Sequence, residues 1–404
     1  MTLFRKPLLA VAAPSFTLLV LVTLVGTIGT HIFGPAMPQA ARDIGVTPSA
    51  MQLTLTIYLV GFAFGHLFYG PLADAFGRRP VVLGALALYT LAALGSALAD
   101  SLGGLLAARL CQALAGAAGP VVGRAMIRDV SDAKGATRQL AFLGLVMSGS
   151  PALSPVIGGY VTALLGWRWI FYGLTVFGVA MLLMCLLVLP ETRRTGDLPA
   201  KQPRLIEGIG VLLRSRLYVG YAFGGALSVG STYAFLAAAP FIYGDLLQIR
   251  ADHVGLYYLL LMLGLSAGSF IAGRLAGRIS NRSGAICGAL CGVASAFLLL
   301  AVDLTHEVNV LTVTLPMMLL VFGNGMVMPN VLTGAMSVDL RFVAAASGLF
   351  GFLMQGTGAL CTVAISAWYD GSVRPTALLL ILVTLAGHAI LHYGTRAARG
   401  GAGS

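Results

Sequence analysis

Long apolar runs alternate with short polar breaks along almost the whole chain. They fall at about 14–35, 49–69, 81–99, 102–127, 139–163 and 168–190, then at about 217–242, 253–273, 284–302, 308–332, 342–367 and 375–393. Each is near the ~20 residues a helix needs to cross a hydrocarbon layer. The pattern predicts twelve membrane-spanning helices, six plus six. The first run follows Arg5-Lys6 but is too long for a signal peptide and lacks a small-residue cleavage site, so it reads as an uncleaved span.

The longest polar break separates the two sets of six. It predicts an N-terminal half over 1–190, a linker over 191–216 with a short surface helix at 205–213, and a C-terminal half over 217–404. The linker is basic (Arg193, Arg194, Lys201, Arg204, Arg214, Arg216), as cytoplasmic loops of membrane proteins commonly are. That reading is preferred over a nucleic-acid-binding tail.

A second polar break is more specified than a connector needs. Residues 70–80 read Gly70-Pro71-Leu72-Ala73-Asp74-Ala75-Phe76-Gly77-Arg78-Arg79-Pro80, with two glycines and two prolines to turn the chain and both signs of charge. A partial copy follows the eighth run, as Gly273-Arg274-Leu275-Ala276-Gly277-Arg278-Ile279-Ser280-Asn281-Arg282. There Gly277 takes the place of Asp74. A repeat of about 200 residues is the mark of a transporter built from two similar halves.

Composition agrees. Of 404 residues 58% are hydrophobic and only 10% charged, with a mean hydropathy of +0.91, where a soluble chain carries roughly 25% charged residues. With the N-terminus inside, about nineteen Lys and Arg lie on the cytoplasmic side. Only Arg42, Arg168, Arg250 and Arg374 lie outside, which orients the chain in an inner membrane with both termini cytoplasmic. The same asymmetry accounts for the net charge of +11 without an acidic partner. The five cysteines all fall inside the runs, which argues against a disulfide framework. Cys287 and Cys291 share a helix face without a nearby His or carboxylate and read as packing, not metal ligands.

The 52 glycines include pairs spaced for close helix approach, such as Gly264/Gly268 and Gly288/Gly292. Residues 148–159 are denser still, with Pro151, Pro155, Gly158 and Gly159, and predict a kinked fifth helix with a smooth face.

Taken together these motifs resemble the major facilitator superfamily. The 70–79 stretch is similar to its signature between helices two and three, Arg109-Leu110-Cys111-Gln112 with Gly116 to its fourth-helix motif, and Pro155-x-x-Gly158-Gly159 to its fifth-helix antiporter motif. Gly34-Pro35-Ala36-Met37-Pro38, Met51-Gln52-Leu53-Thr54, Arg128-Asp129, Pro190-Glu191-Thr192 and Ala239-Pro240-Phe241 resemble the Bcr/CflA-like drug exporters. The resemblance implies an all-α integral membrane fold of two six-helix halves around a central cavity lined by spans one, four, seven and ten. It also implies alternating access, with Gly70, Asp74, Gly77, Arg78, Arg79, Pro155, Gly158 and Gly159 in the gating parts.

The cavity spans offer Thr27 and His31, Arg109 and Gln112, Tyr233, and Asn324 and Asn330 as candidates for the substrate and proton pathway. Polar groups are costly in lipid and face an interior or a water-filled path. Arg109, permanently charged within a span, needs partners. The chain also departs from the subfamily. All fourteen acids lie in loops or at span ends, and the place where relatives carry a first-span aspartate reads His31-Ile32-Phe33-Gly34-Pro35. Histidine can exchange protons, since its ordinary pKa of about 6.5 is physiological. It passes from neutral to +1 instead of from −1 to neutral, which favours neutral or anionic substrates over cationic ones.

The sequence therefore predicts a monomeric, proton-coupled exporter of small organic molecules such as drugs, seated in the lipid bilayer, with no cofactor, metal or nucleic acid. A carrier of an anionic or siderophore-like metabolite, working by symport, is the alternative. No Walker sequence, His-Glu-x-x-His or Gly-x-Ser-x-Gly is present to support ATP-driven transport or catalysis. A fixed pore suits a two-half repeat less well.

Overall fold

The structure is a computed structural model; it describes residues 13–193, 205–305, 307–339 and 342–396. The basic stretch 194–204 lies outside the described residues. The first span begins as α1 (Phe16–His31), passes through a 3-10 turn (Gly34–Ala36) at Pro35 and continues as α2 (Met37–Ile44). The rest of the first half is α3 (Pro48–Phe76), α4 (Arg78–Ala97), α5 (Leu102–Gly116), α6 (Ala118–Val130), α7 (Ala133–Leu165) and α8 (Arg168–Val188). After the linker helix α9 (Leu205–Arg214) come α10 (Arg216–Phe241) with a π turn (Ile242–Leu246), α11 (Ala251–Leu275), α12 (Asn281–Leu304), α13 (Val310–Met336), α14 (Val343–Trp368) and α15 (Arg374–Gly394).

Among the described residues eleven spans are long and apolar enough to cross a bilayer, and the 33-residue α7 occupies the fifth place. With α5 and α6 together forming the fourth, the expected twelve are present. Helix starts follow from capping residues: Thr47, Ser101 and Asn309 each accept a backbone N–H of the helix they precede.

Two boundaries differ from the sequence reading, and both have local causes. Residues 70–80 were expected as a loop, but α3 runs through Gly70, Pro71 and Asp74 to Phe76, and α4 opens at Arg78. Pro71 deprives only the Leu67 carbonyl of its helical donor, close to a helix end where that loss is small. The whole turn is Gly77, at φ +97° and ψ 156°, a conformation open essentially to glycine alone. In the second copy Gly277, at φ +79°, turns the chain, so glycine matches glycine in role where the sequence set it against Asp74.

The second difference is a break in the fourth span at Ala117. Pro120 has no N–H to offer the Gly116 carbonyl, and Gly116 presses backbone to backbone on Gly26 of α1, with no room for a Cβ on either.

The repeat shows in the ion pairs as well. Arg168 Nη2 lies 3.3 Å from Asp100, joining the third and sixth spans, and Arg374 Nε lies 2.7 Å from Asp303, joining the ninth and twelfth. The face bearing these pairs is the far face. The opposite one, where α1 begins and α15 ends, is the terminal face.

At the far face the two halves share one apolar core. Ile32, Phe33, Met37, Leu55 and Trp167 pack in the same cluster as Phe235, Phe241, Tyr258, Met317 and Ile365. At the terminal face there are two cores. Leu18, Val22, Met126 and Cys185 belong to one, and Tyr218, Val331, Phe342 and Leu349 to the other. Contacts between halves run along α3 with α14 and along α7 with α11.

Candidate functional site

The site begins where α1 crosses α5. Arg109 is fully buried, and its Nη1 donates to the Gly29 carbonyl at 3.0 Å and to Gln112 Oε1 at 2.8 Å. The three-residue spacing on α5 puts the last two side chains on one face. The guanidinium lies over the Tyr58 ring, 4.1 Å from its centroid, and Tyr58 Oη donates to the Gly26 carbonyl at 2.8 Å. Stacking on an aromatic face suits a guanidinium held out of water. No carboxylate pairs with Arg109 among the described residues. Its Nε and Nη2, with Gln112 Nε2, are buried without partners, so the cluster is rich in donors.

Two residues beyond Gly29 stands His31, half-buried and about halfway along the first span. Its ring stacks parallel on Tyr233 of α10, with centroids 6.2 Å apart, across the boundary between halves. Tyr233 Oη donates to Gln355 Oε1 on α14 at 3.2 Å. Arg109 thus bears on His31 through the α1 backbone, by holding the Gly29 carbonyl.

The other expected pathway residues divide. Thr27 Oγ1 bonds its own helix at Leu24, as Thr23 does at Leu19. Asn324 Nδ2 donates to Thr232 Oγ1 at 2.5 Å, joining α13 to α10. Asn330 stands apart: it donates to the Met326 carbonyl and lies against Gly284 of α12. Gln355, Tyr58 and the Thr56–Thr362 hydrogen bond between halves (2.6 Å) were not anticipated. A glutamine or threonine in a long apolar run gives no sign of its partner, and Tyr58 is indistinguishable by type from packing tyrosines.

The expected gating residues form a charged network at the terminal face. Arg78 reaches Asp74 at 2.5 Å and Asp129 at 3.1 Å, and Thr192 donates to the same Asp129 oxygen at 3.2 Å. Glu191 accepts the backbone N–H groups of Arg78, Arg79 and Arg193 at 3.0, 3.1 and 2.9 Å. It caps α4 with the charge that a helix N-terminus favours. Arg79 Nη2 donates to the Leu186 carbonyl at 2.9 Å. Each of these contacts lies within the first half, and none of them crosses to the second. A Cβ at Gly70 would meet open space.

The fifth-span residues Pro155, Gly158 and Gly159 are buried. A Cβ on Gly158 would collide with the Ile32 carbonyl of its own half. The contact with the other half is made one turn earlier, where Gly255 of α11 sits against Pro155 and Val156.

The sequence pattern of the Major Facilitator Superfamily matches residues 19–390. Multidrug resistance protein D of Escherichia coli (strain K12) is 29% identical over 350 residues, 86% of this chain and 87% of that one. A bicyclomycin resistance protein homolog of Haemophilus influenzae is 28% identical over 255 residues, 63% of this chain and 64% of that one. Among solved structures, a D-xylose-proton symporter superposes with a TM-score of 0.73 at 15% identity, over 92% of this chain and 96% of that one, which shows the shared fold.

Proposed function

Because the chain belongs to the Major Facilitator Superfamily, we propose that it is a proton-coupled drug exporter of the inner membrane, working by alternating access. The observation that carries this reading is the inequality of the two faces: one joined core at the far face, two separate cores at the terminal face, and His31, Tyr233 and Arg109 between them. The positive charge of the terminal face supports placing it on the cytoplasmic side, which makes this conformation the one that loads substrate from inside. Bicyclomycin and other drugs named in the relatives' descriptions supply the substrate class.

His31 is the proton-linked group in this reading, and Arg109 its positioning residue. Asp74, Arg78 and Asp129 hold the terminal end of the first half in its inward-facing arrangement. Pro155 and Val156 move against Gly255 as the halves rock. The substrate and the proton are the only traffic, without ATP or a resident cofactor.

The test is accumulation of labelled bicyclomycin in inverted vesicles holding the protein, with the lumen acidified. Uptake that collapses with an uncoupler is expected. Absence of uptake from vesicles in which the folded protein is present would overturn the export reading.

A further inference from the structure

We propose that Gln355 is a positioning residue for His31: it holds the Tyr233 ring parallel to the imidazole, and so ties the histidine of the first half to α14 of the second. His31 makes no hydrogen bond among the described residues, and its ring stacks on Tyr233 at 6.2 Å and 5°. Such a stack depends on the tilt and offset of the two rings, so whatever fixes Tyr233 decides what His31 meets.

Tyr233 is held twice by α14. Its Oη donates to Gln355 Oε1 at 3.2 Å, and its ring lies so close to Gly358 that a Cβ there would stand 2.6 Å from Cδ2. Gln355 and Gly358, three residues apart, share one face of the helix. The hydroxyl lies on the ring's own axis, so the Gln355 bond sets where that axis points, and the Gly358 backbone sets the plane about it. Gln355 is itself buried, and a buried amide is costly unless bonded. Its bond to Tyr233 is the one it makes among the described residues.

The same face of α14 is a seam between the halves. Gly351, one turn before Gln355, faces His66 of α3, where a Cβ would stand 2.8 Å from Cδ2. Thr362, two turns after it, bonds Thr56 of α3 at 2.6 Å. Gln355 thus stands midway along a helix that packs on the first half while it grips the tyrosine that meets His31. A displacement of α14 reaches the imidazole through one hydrogen bond and one ring.

Little else around His31 competes. Among the elements packed on α1, α7 sets Gly158 against Ile32, α8 sets Phe171 against Phe33, and α6 meets it lower, at Val22 and Thr23. The charged and titratable groups about His31 are Tyr233 beside it, with Arg109 and Tyr58 behind the α1 backbone at Gly29. The acids lie in loops or at span ends.

This rests on His31 as the proton-linked group for its bearing on transport, but not for the geometry, and a spectroscopic measurement separates the two. Full-length protein labelled at its histidines is followed by NMR over about pH 4 to 9, with His31 and His66 assigned by the loss of signal in His31→Gln and His66→Gln. Gln355→Leu should move the His31 signal and lower its titration midpoint by about half a pH unit or more, because an aromatic face favours the imidazolium. Tyr233→Phe breaks the same bond from its other end and should do the same, and the double variant should add nothing further. Gln355→Glu keeps an accepting oxygen and brings a carboxylate near the ring, so its midpoint should rise above that of wild type.

A His31 signal unmoved in Gln355→Leu would overturn the positioning role, as would effects of the two single variants that simply add. A shift of His66 as large as that of His31 would also overturn it, by showing a general disturbance of α14. A His31 signal that responds to Gln355→Leu but shows no titration in that range would leave the positioning role standing and count against His31 as the proton-linked group.

Discussion

At the residue scale the decisive contrast is between two polar groups on the path. Arg109 is dry, stacked on Tyr58 and bonded to Gly29 and Gln112, whereas His31 is half-buried and touches the other half through Tyr233. An ammonium cannot lie flat on an aromatic ring and reach both acceptors as the guanidinium fork does. Arg109→Lys should therefore lower uphill transport roughly tenfold or more, nearly as far as Arg109→Ala, since one charge-assisted hydrogen bond is worth about 1.5–3 kcal/mol. Initial rates in proteoliposomes check this, and near-normal rates in the lysine variant would show that bare charge suffices. His31→Gln keeps a polar group that cannot titrate. It should abolish proton-driven accumulation and flatten its pH dependence while sparing counterflow. A wild-type pH profile in that variant would place the proton elsewhere. Both residues were legible in the sequence, because a charge or an imidazole stands out in an apolar run. Tyr58 and Gln355 were not: their types do not set them apart from packing residues in an apolar run, and only the fold shows Tyr58 beneath the Arg109 guanidinium and Gln355 on Tyr233.

At the element scale the informative piece is the α3–α4 turn. Gly77 lies at φ +97°, and a Cβ there would stand 2.6 Å from Glu191 Oε2, the carboxylate that caps α4. Gly77→Ala meets both obstacles at once, and should cost about 1–3 kcal/mol from the backbone conformation alone. Glu191→Gln keeps an accepting oxygen but loses the charge at the helix start, worth about 0.3–1 kcal/mol where exposed. Thermal unfolding of the purified variants should rank alanine as the more damaging; the reverse order would mean that the cap outweighs the turn. Here the sequence located the feature but misjudged its form. Two prolines and two glycines suggested a loop, yet Pro71 sits where one missing helical bond matters little, and a single glycine suffices to reverse the chain. The break at Ala117 was hidden for a related reason. Pro120 alone does not stop a helix in lipid, and it is the press of Gly116 on Gly26, a long-range contact, that fixes the break there.

At the scale of the whole molecule the question is what keeps the far face shut. In lipid, apolar surface is not expelled from water, so the joined core holds through close packing and a few polar ties. Among the described residues those ties are Thr56 with Thr362, and Arg42 with Asp245 at 3.3 Å. The ion pair is exposed on both sides, 66% and 41%, and such pairs are worth about 0.2–1 kcal/mol. Arg42→Ala should thus shift the balance between far-face-closed and far-face-open forms by no more than about fivefold. Packing should weigh more. Gly255 stands where a Cβ would come within 2.8 Å of Val156 Cα and 2.9 Å of the Pro155 carbonyl oxygen, atoms of backbone that cannot swing aside. Gly255→Leu must push α11 away from α7, and it should open the far face far more than loss of the ion pair does, while leaving the core of each half intact. Spin-label distances across the far face, in a background without native cysteines, would rank the two variants. If Arg42→Ala parts the halves as widely as Gly255→Leu, electrostatics governs the outer closure and the packing argument fails.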